Sequence, residues 1–255
     1  MKHKKIIITA AAVIVASAVI GVGSYFAVYA IKMNSYKNTK LSLPDDFTVT
    51  AHTGCMETRE NSLESIMAGA ENGAHITEFD LNFTADGTPV LSHDAPVGGE
   101  VTLDEAFQCL AELKTVRANI DIKATDALEK VYPLAEKYGV QDRIFFTGVK
   151  EEYVEKVKEK CPQIPYYLNV DVDKKQVDDS EYIQSLVQKV KDAGAVGINF
   201  NYKALTSELV EIFHENGLSV SVWTVDKEID MYKCLTCSPD NITTRNPQKL
   251  RDILP

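Results

Sequence analysis

The chain has 255 residues, 45% of them hydrophobic, which suits one large domain or two small ones built on a real core. Its charge is unevenly spread: residues 1–40 hold six lysines and no acid, so a chain of net charge −10 leaves the remainder at −16. A body that acidic excludes nucleic acid as the partner, and an anionic substrate would need a local positive centre to hold it.

The first element is apolar. Lys2, Lys4 and Lys5 make a short basic tail (residues 1–5) before Ile6 to Ile31, a run without a single charge. As a helix these 26 residues span about 39 Å, enough to cross a hydrocarbon core of about 30 Å. Basic residues ahead of the span put the N-terminus in the cytoplasm and the body outside, in a single-pass protein of the cell membrane. The alternative is a cleaved signal peptide, with Val28-Tyr29-Ala30 as the cleavage site and a secreted product. Residues 32–44 read as a stalk, and 45–255 as the folded body. Five cysteines (55, 109, 161, 234 and 237) are an odd number, so they cannot all pair within the chain. Cys234-x-x-Cys237 is half of a zinc motif with no second half, and reads as thiols or a local disulfide.

After the stalk a rhythm sets in. Strand-like runs stand at 47–52, 75–83, 118–123, 143–149, 165–171, 195–201, 218–225 and 241–244. Helix-like runs such as "NSLESIMAGAENG", "ALEKVYPLAEKYG", "SEYIQSLVQKVKDAG" and "TSELVEIFHENG" lie between them, several ending in the glycine of a left-handed stop. Alternating strand and helix implies parallel strands joined by right-handed crossovers. Eight repeats without a Gly-rich dinucleotide fingerprint predict a closed (β/α)₈ TIM barrel, preceded by the N-terminal transmembrane helix.

In such a barrel one strand face packs on helices and the other lines the interior. The polar faces therefore point inward: Thr48, Thr50 and His52; Glu78, Asp80 and Asn82; Asn119, Asp121 and Lys123; Ser219, Ser221 and Trp223. Burying that many carboxylates unpaired costs several kcal/mol each, so they need a cation. Glu78, Asp80 and Asp121 can converge on a hard, oxygen-seeking ion, Mg²⁺ or Ca²⁺. His52 and His93 end their runs near the same rim. A metal with two imidazoles suits phosphodiester cleavage: the ion neutralises phosphate charge, one ring takes a proton from the nucleophile, the other protonates the leaving oxygen. Lys123 can meet a phosphate oxygen.

The ordered set His52-Thr53-Gly54, Arg59-Glu60-Asn61-Ser62, Gly73-Ala74-His75, Glu78-Phe79-Asp80, Thr84-Ala85-Asp86-Gly87 and His93-Asp94 carries a resemblance. With "NIDIKA", "VSVWTVD" and "ITTRNP" further on, it resembles the glycerophosphodiester phosphodiesterase family over residues 47–254. The resemblance implies that His52 and His93 are the acid–base pair, and Glu78, Asp80 and Asp121 the metal ligands. It implies that Lys123 contacts phosphate and that Trp223 packs on the glycerol or headgroup, with Glu60 and Asn61 supporting the site. The implied reaction hydrolyses a glycerophosphodiester to glycerol 3-phosphate and an alcohol, directly or through a cyclic phosphate; the substrate would be a small phosphodiester or a lipid or wall-polymer headgroup.

Three departures stand out. Thr53 replaces the family's phosphate-clamping Arg, Asp121 replaces a Glu, and only "APVGGEV" stands where the family has a sizeable capping insertion. Arg59, on the loop after the first strand, is the expected substitute clamp, with a solvated loop charge as the alternative. The short loop and the Asp-x-Lys pairing also suit a sphingomyelinase D-like or phosphatidylinositol phospholipase C-like barrel. The lost arginine leaves open a non-catalytic, membrane-tethered binding barrel as well. His75, His214 and Cys55 read as structural.

Overall fold

In the computed structural model, which describes residues 27–255, the strand-like runs become β1 (Thr48–Ala51), β2 (Ile76–Phe83), β4 (Arg117–Ile122), β5 (Ile144–Val149), β6 (Tyr166–Asn169), β7 (Gly197–Asn201), β8 (Ser219–Trp223) and β9 (Asn241–Thr244). All eight pair in parallel, and β1 joins both β2 and β9, so the ring closes. A short β3 (Pro89–Leu91) runs antiparallel to β2 outside the ring, after the turn at Asp86-Gly87. Eight helices follow in the same order: α1 (Leu63–Glu71), α2 (Leu103–Glu112), α3 (Val131–Tyr138), α4 (Val154–Lys160), α5 (Ser180–Ala193), α6 (Ser207–Glu215), α7 (Glu228–Leu235) and α8 (Pro247–Asp252).

The chain divides into two units, Met1–Lys40 and Leu41–Pro255. In the first, residues 27–37 are helical. Among the described residues no helix is long and apolar enough to cross a membrane. The basic tail (1–5) and residues 6–26 of the expected anchor lie outside the described residues. The second unit is the barrel, and it starts within the expected stalk, for Leu41 and Leu43 pack against its core.

Local chemistry explains the helix boundaries. Thr102 and Glu105 form a capping box at the start of α2: the Glu105 N–H donates to Thr102 Oγ1 at 3.2 Å, and the Thr102 N–H donates to Glu105 Oε2 at 2.8 Å. Gly139 and Gly194 end α3 and α5 in the left-handed conformation.

The outward face of the strands, with Phe79, Leu81, Ile120, Phe146, Leu168, Ile198, Phe200, Val220 and Ile242, is buried in one apolar layer beneath the helices. The inward face is polar and knitted together. Asn241 Nδ2 donates to Thr50 Oγ1 at 2.7 Å and Thr48 Oγ1 at 2.9 Å, and Ser221 Oγ donates to Asn241 Oδ1 at 3.2 Å. Further round the ring, between neighbouring strands, Asn199 Nδ2 donates to Asn169 Oδ1 at 3.0 Å and Thr147 Oγ1 to Asn119 Oδ1 at 2.8 Å. Buried polar groups are tolerable when they bond to one another in this way.

Ring closure also depends on close backbone approach. A Cβ at Gly197, on β7, would lie 2.1 Å from the Ser219 carbonyl oxygen of β8, closer than backbone can yield. Gly197→Ala should therefore lower the unfolding free energy by about 1–3 kcal/mol, the usual cost of overpacking, as read by urea denaturation of the barrel. An unchanged midpoint would mean that β7 and β8 can part at that point without loss.

Candidate active site

The strand register brings the acids together. Asp80 on β2 lies directly opposite Asp121 on β4, with Glu78 opposite Asn119 one step earlier. Oxygens of Glu78, Asp80 and Asp121 come within 4.8 Å of one another. Each acid has its own donor: the Thr53 N–H reaches Glu78 Oε2 at 2.7 Å, Asn61 Nδ2 reaches Asp80 Oδ2 at 2.8 Å, and Thr147 Oγ1 reaches Asp121 Oδ1 at 3.2 Å. Lys123 Nζ sits 2.7 Å from Asp121 Oδ2 and 3.0 Å from Asp80 Oδ1.

The charges do not balance. One ammonium faces three buried or half-buried carboxylates. Burial, then the charges of Asp80 and Asp121, hold the Glu78 carboxyl well above the usual range. Burial works against the charge on Lys123, but Asp121 and Asp80 outweigh it and raise its pKa above the ordinary lysine value. Three converging oxygen donors with surplus negative charge fit a hard divalent cation.

Asn61 holds this cluster in place. Its Nδ2 binds the Asp80 carboxylate, its Oδ1 accepts the Asp80 N–H at 2.9 Å, and its own N–H donates to Thr53 Oγ1 at 2.6 Å. Its φ of +54° is a conformation that asparagine tolerates better than most residues. Gly148, at the end of β5 with φ +69°, makes room: a Cβ there would sit 2.2 Å from Asp121 Oδ1.

Both histidines stand at the same mouth, in different surroundings. His52 follows β1 with its side chain 21% exposed; its Nδ1–H donates to the Thr53 carbonyl at 2.8 Å, which leaves Nε2 as an acceptor. Burial lowers its pKa, and the charge of Arg245 adds to that. His93, after β3, is 65% exposed, with Nδ1 donating to Asp94 Oδ1 at 3.0 Å. Asn82 Nδ2 and Ser92 Oγ both donate to the Asp94 carbonyl, at 2.9 and 2.8 Å, and so fix this turn on the end of the β2–β3 hairpin.

A cavity of about 790 Å³ opens here, walled by His52, Glu60, Glu78, Asp80, His93, Asp121, Lys123 and Trp223 among others. The structure thus gathers those eight of the ten residues singled out from the sequence. Asn61 lies behind Asp80 as a support. Arg59 does not join them: its side chain is exposed and forms no part of the cavity wall. Trp223 lines the wall with its indole Nε1 buried and without a hydrogen-bond partner among the described residues. His75 accepts the Val49 N–H at 2.9 Å beneath the barrel and His214 pairs with Asp240 at 2.9 Å, both away from the cavity wall.

Residues that sequence reasoning left out also line the wall, chiefly Thr147, Asn199 and Arg245. The first two could have been found by extending the inward-face alternation to β5 and β7. Arg245 lay in view within "ITTRNP", one residue past the last strand, but carried no pattern of its own.

The sequence model of the glycerophosphoryl diester phosphodiesterase family matches residues 44–131 and 110–249. A glycerophosphodiester phosphodiesterase of Caldanaerobacter subterraneus is 27% identical over 248 residues, covering 81% of this chain and 97% of its own. A probable glycerophosphodiester phosphodiesterase 2 of Mycobacterium tuberculosis is 23% identical, covering 80% of this chain and 89% of its own. In fold the barrel is similar to a crystal structure of a glycerophosphodiester phosphodiesterase from Parabacteroides distasonis, with TM-score 0.67, 22% identity, and coverage of 82% of this chain and 97% of that one. It is also similar to an Oleispira antarctica phosphodiesterase solved in complex with the product sn-glycerol-3-phosphate, with TM-score 0.65, 18% identity, and coverage of 83% and 96%.

The support from Asn61 can be tested apart from its backbone strain. Asn61→Gly keeps the left-handed conformation but removes the side chain that orients Asp80. Its affinity for Mg²⁺ or Ca²⁺ by calorimetry should fall by about 10- to 100-fold, the usual effect of losing such a ligand-orienting partner. Unaltered affinity would leave Asn61 as a loop residue only.

Proposed function

This chain belongs to the glycerophosphoryl diester phosphodiesterase family, and is thus a phosphoric diester hydrolase; from that premise we propose that it cleaves glycerophosphodiesters to glycerol 3-phosphate and an alcohol, with a divalent cation held by Glu78, Asp80 and Asp121. Family membership displaces the non-catalytic binding barrel that the lost arginine left open. The observation that carries the reading is the convergence of three carboxylates within 4.8 Å, on the rim where both His52 and His93 stand.

When bound, Mg²⁺ or Ca²⁺ supplies charge neutralisation at the phosphate oxygens. The remaining work falls to side chains. Lys123, kept charged by Asp121 and Asp80, offers its ammonium to a phosphate oxygen at the edge of the cluster. His52 is the base: burial lowers its pKa and so favours the unprotonated ring, and the bond from Nδ1 to Thr53 turns Nε2 to the attacking hydroxyl, of water or of the substrate's own glycerol. His93 is the acid: its Nδ1 is anchored on Asp94, so Nε2 delivers a proton to the leaving alcohol oxygen. Trp223 offers an apolar wall to the glycerol or headgroup.

His52→Ala and His93→Ala should each lose about 10² to 10⁴ in kcat on glycerophosphocholine, with the fold kept, and excess EDTA should abolish turnover by the native protein. Because the His52 pKa is lowered, its base form persists at neutral pH; the acid limb of kcat/KM should fall below the ordinary histidine value of about 6.5. Full turnover in EDTA would refute the metal reading, and an acid limb above that value would remove His52 as the base.

We place this activity outside the cytoplasm, in a single-pass protein or, if the N-terminal segment is cleaved, a secreted one. The support is the order of the chain: lysines first, then the uncharged run from Ile6 to Ile31, then the enzyme. Protease added to intact spheroplasts should degrade the barrel. A barrel that survives until lysis would place it on the other side.

A further inference from the structure

A phosphodiester entering this cavity brings negative charge to a wall already rich in it. The described cations on the wall are Lys123, Lys150 and Arg245. Lys123 is engaged by Asp80 and Asp121. The Lys150 side chain is exposed, and none of the ion pairs among the described residues holds it. Thr53, beside His52, has no charge to offer, and its N–H and hydroxyl are committed to Glu78 and Asn61.

Arg245 is placed differently. It follows β9 directly, where β9 closes the ring against β1. The Thr244 carbonyl accepts the His52 N–H at 2.9 Å, and the Arg245 carbonyl accepts the Met56 N–H at 2.9 Å. Its backbone is thus tied to the segment that carries His52 and Thr53. Two acids from separate loops hold its head. Nη1 donates to Asp226 Oδ2 at 3.3 Å, Nη2 lies 3.5 Å from Glu60 Oε1, and Asp226 Oδ1 takes the Arg245 N–H at 2.8 Å.

These contacts aim the guanidinium without saturating it. Charge-assisted N–H···O bonds settle at about 2.7–2.9 Å, so both side-chain pairs are long. Of the five N–H donors in the fork, one makes a hydrogen bond among the described residues. The side chain stays 43% exposed at the cavity wall. A planar fork with N–H donors still unengaged among the described residues, on the cavity wall, matches two non-bridging phosphate oxygens.

We propose that Arg245 is a second phosphate-binding cation of this site beside Lys123, reaching in from the residue after β9, with Glu60 and Asp226 as its positioning residues. The proposal rests on the phosphodiesterase reading above. In the ground state Arg245 grips the substrate phosphate, and it holds the product phosphate in the same way.

The test compares the native protein with Arg245→Gln and Arg245→Lys, all loaded with Mg²⁺. Calorimetry gives the Kd for sn-glycerol 3-phosphate, and steady-state kinetics give KM and kcat for glycerophosphocholine. Mg²⁺ affinity without ligand and Tm are measured alongside. For Arg245→Gln, Kd and KM should each rise at least tenfold while Mg²⁺ affinity and Tm stay at native values. Arg245→Lys should recover part of the loss, since it keeps the charge and loses the fork. Unchanged Kd and KM would overturn the proposal. So would a loss of Mg²⁺ affinity and Tm in step with activity, which would make Arg245 a structural tie between loops. A native protein inactive on every glycerophosphodiester would fail the phosphodiesterase reading instead, while the glycerol 3-phosphate titration still decides Arg245.

Discussion

Three carboxylates crowded into one mouth of a barrel set the terms for the rest of this molecule. At separations of 4–5 Å each pair of charges repels by roughly 3–4 kcal/mol, even at an effective dielectric of about 20. Glu78, Asp80 and Asp121 lie within that range of one another, and Lys123 pairs directly with two of them, Asp80 and Asp121. The raised pKa of Glu78 expresses the same imbalance, first through burial and then through its acidic neighbours. An arrangement so costly in isolation makes sense as a cation site.

The scaffold must then hold these charges still. In many barrels of this class the interior is filled by branched apolar side chains. Here asparagines, threonines and serines take that place, and they satisfy one another across neighbouring strands. The parallel register does the positioning, because it sets Asp80 beside Asp121 and Asp121 beside Thr147. Asn61 then ties the loop after β1 to the cluster through both ends of its amide. A shift of one residue in any of these strands would turn the acids onto the helices.

The mouth is unequal on its two sides. His52 is enclosed by backbone and by its acidic neighbours, whereas His93 stands on an exposed turn with Asp94. The connection after it is short and closes on itself, for Glu100 accepts the N–H groups of Val97 and Gly98 at 2.6 and 3.0 Å. That loop holds its tip, Val97, 95% exposed rather than folded over the cavity. Two of the cations on the cavity wall, Lys123 and Arg245, stand one residue past the ends of β4 and β9.

Much of this was legible in the chain itself. Period-two alternation assigns Glu78, Asp80 and Asp121 to one face, and strand–helix alternation makes that face an interior. Glycine stops and capping residues mark the helix ends, since these depend on neighbours within a turn. Periodicity is local, however, and says nothing about which loops meet. Thr53 stands where the resemblance expects an arginine, and the sequence offers nearby Arg59 as a substitute clamp or a solvated loop charge; in the fold Arg59 is exposed, and Arg245 comes to Glu60, 185 residues earlier in the chain. The shared amide of Asn61 and the lowered pKa of His52 likewise follow from burial and from ring closure between β1 and β9. The amino-acid sequence by itself determined the barrel and the inward face of its acids, because both repeat at short range. Which distant side chains complete the site was decided only when the ring closed, because distances between strand ends are set by the tertiary structure and not by spacing along the chain.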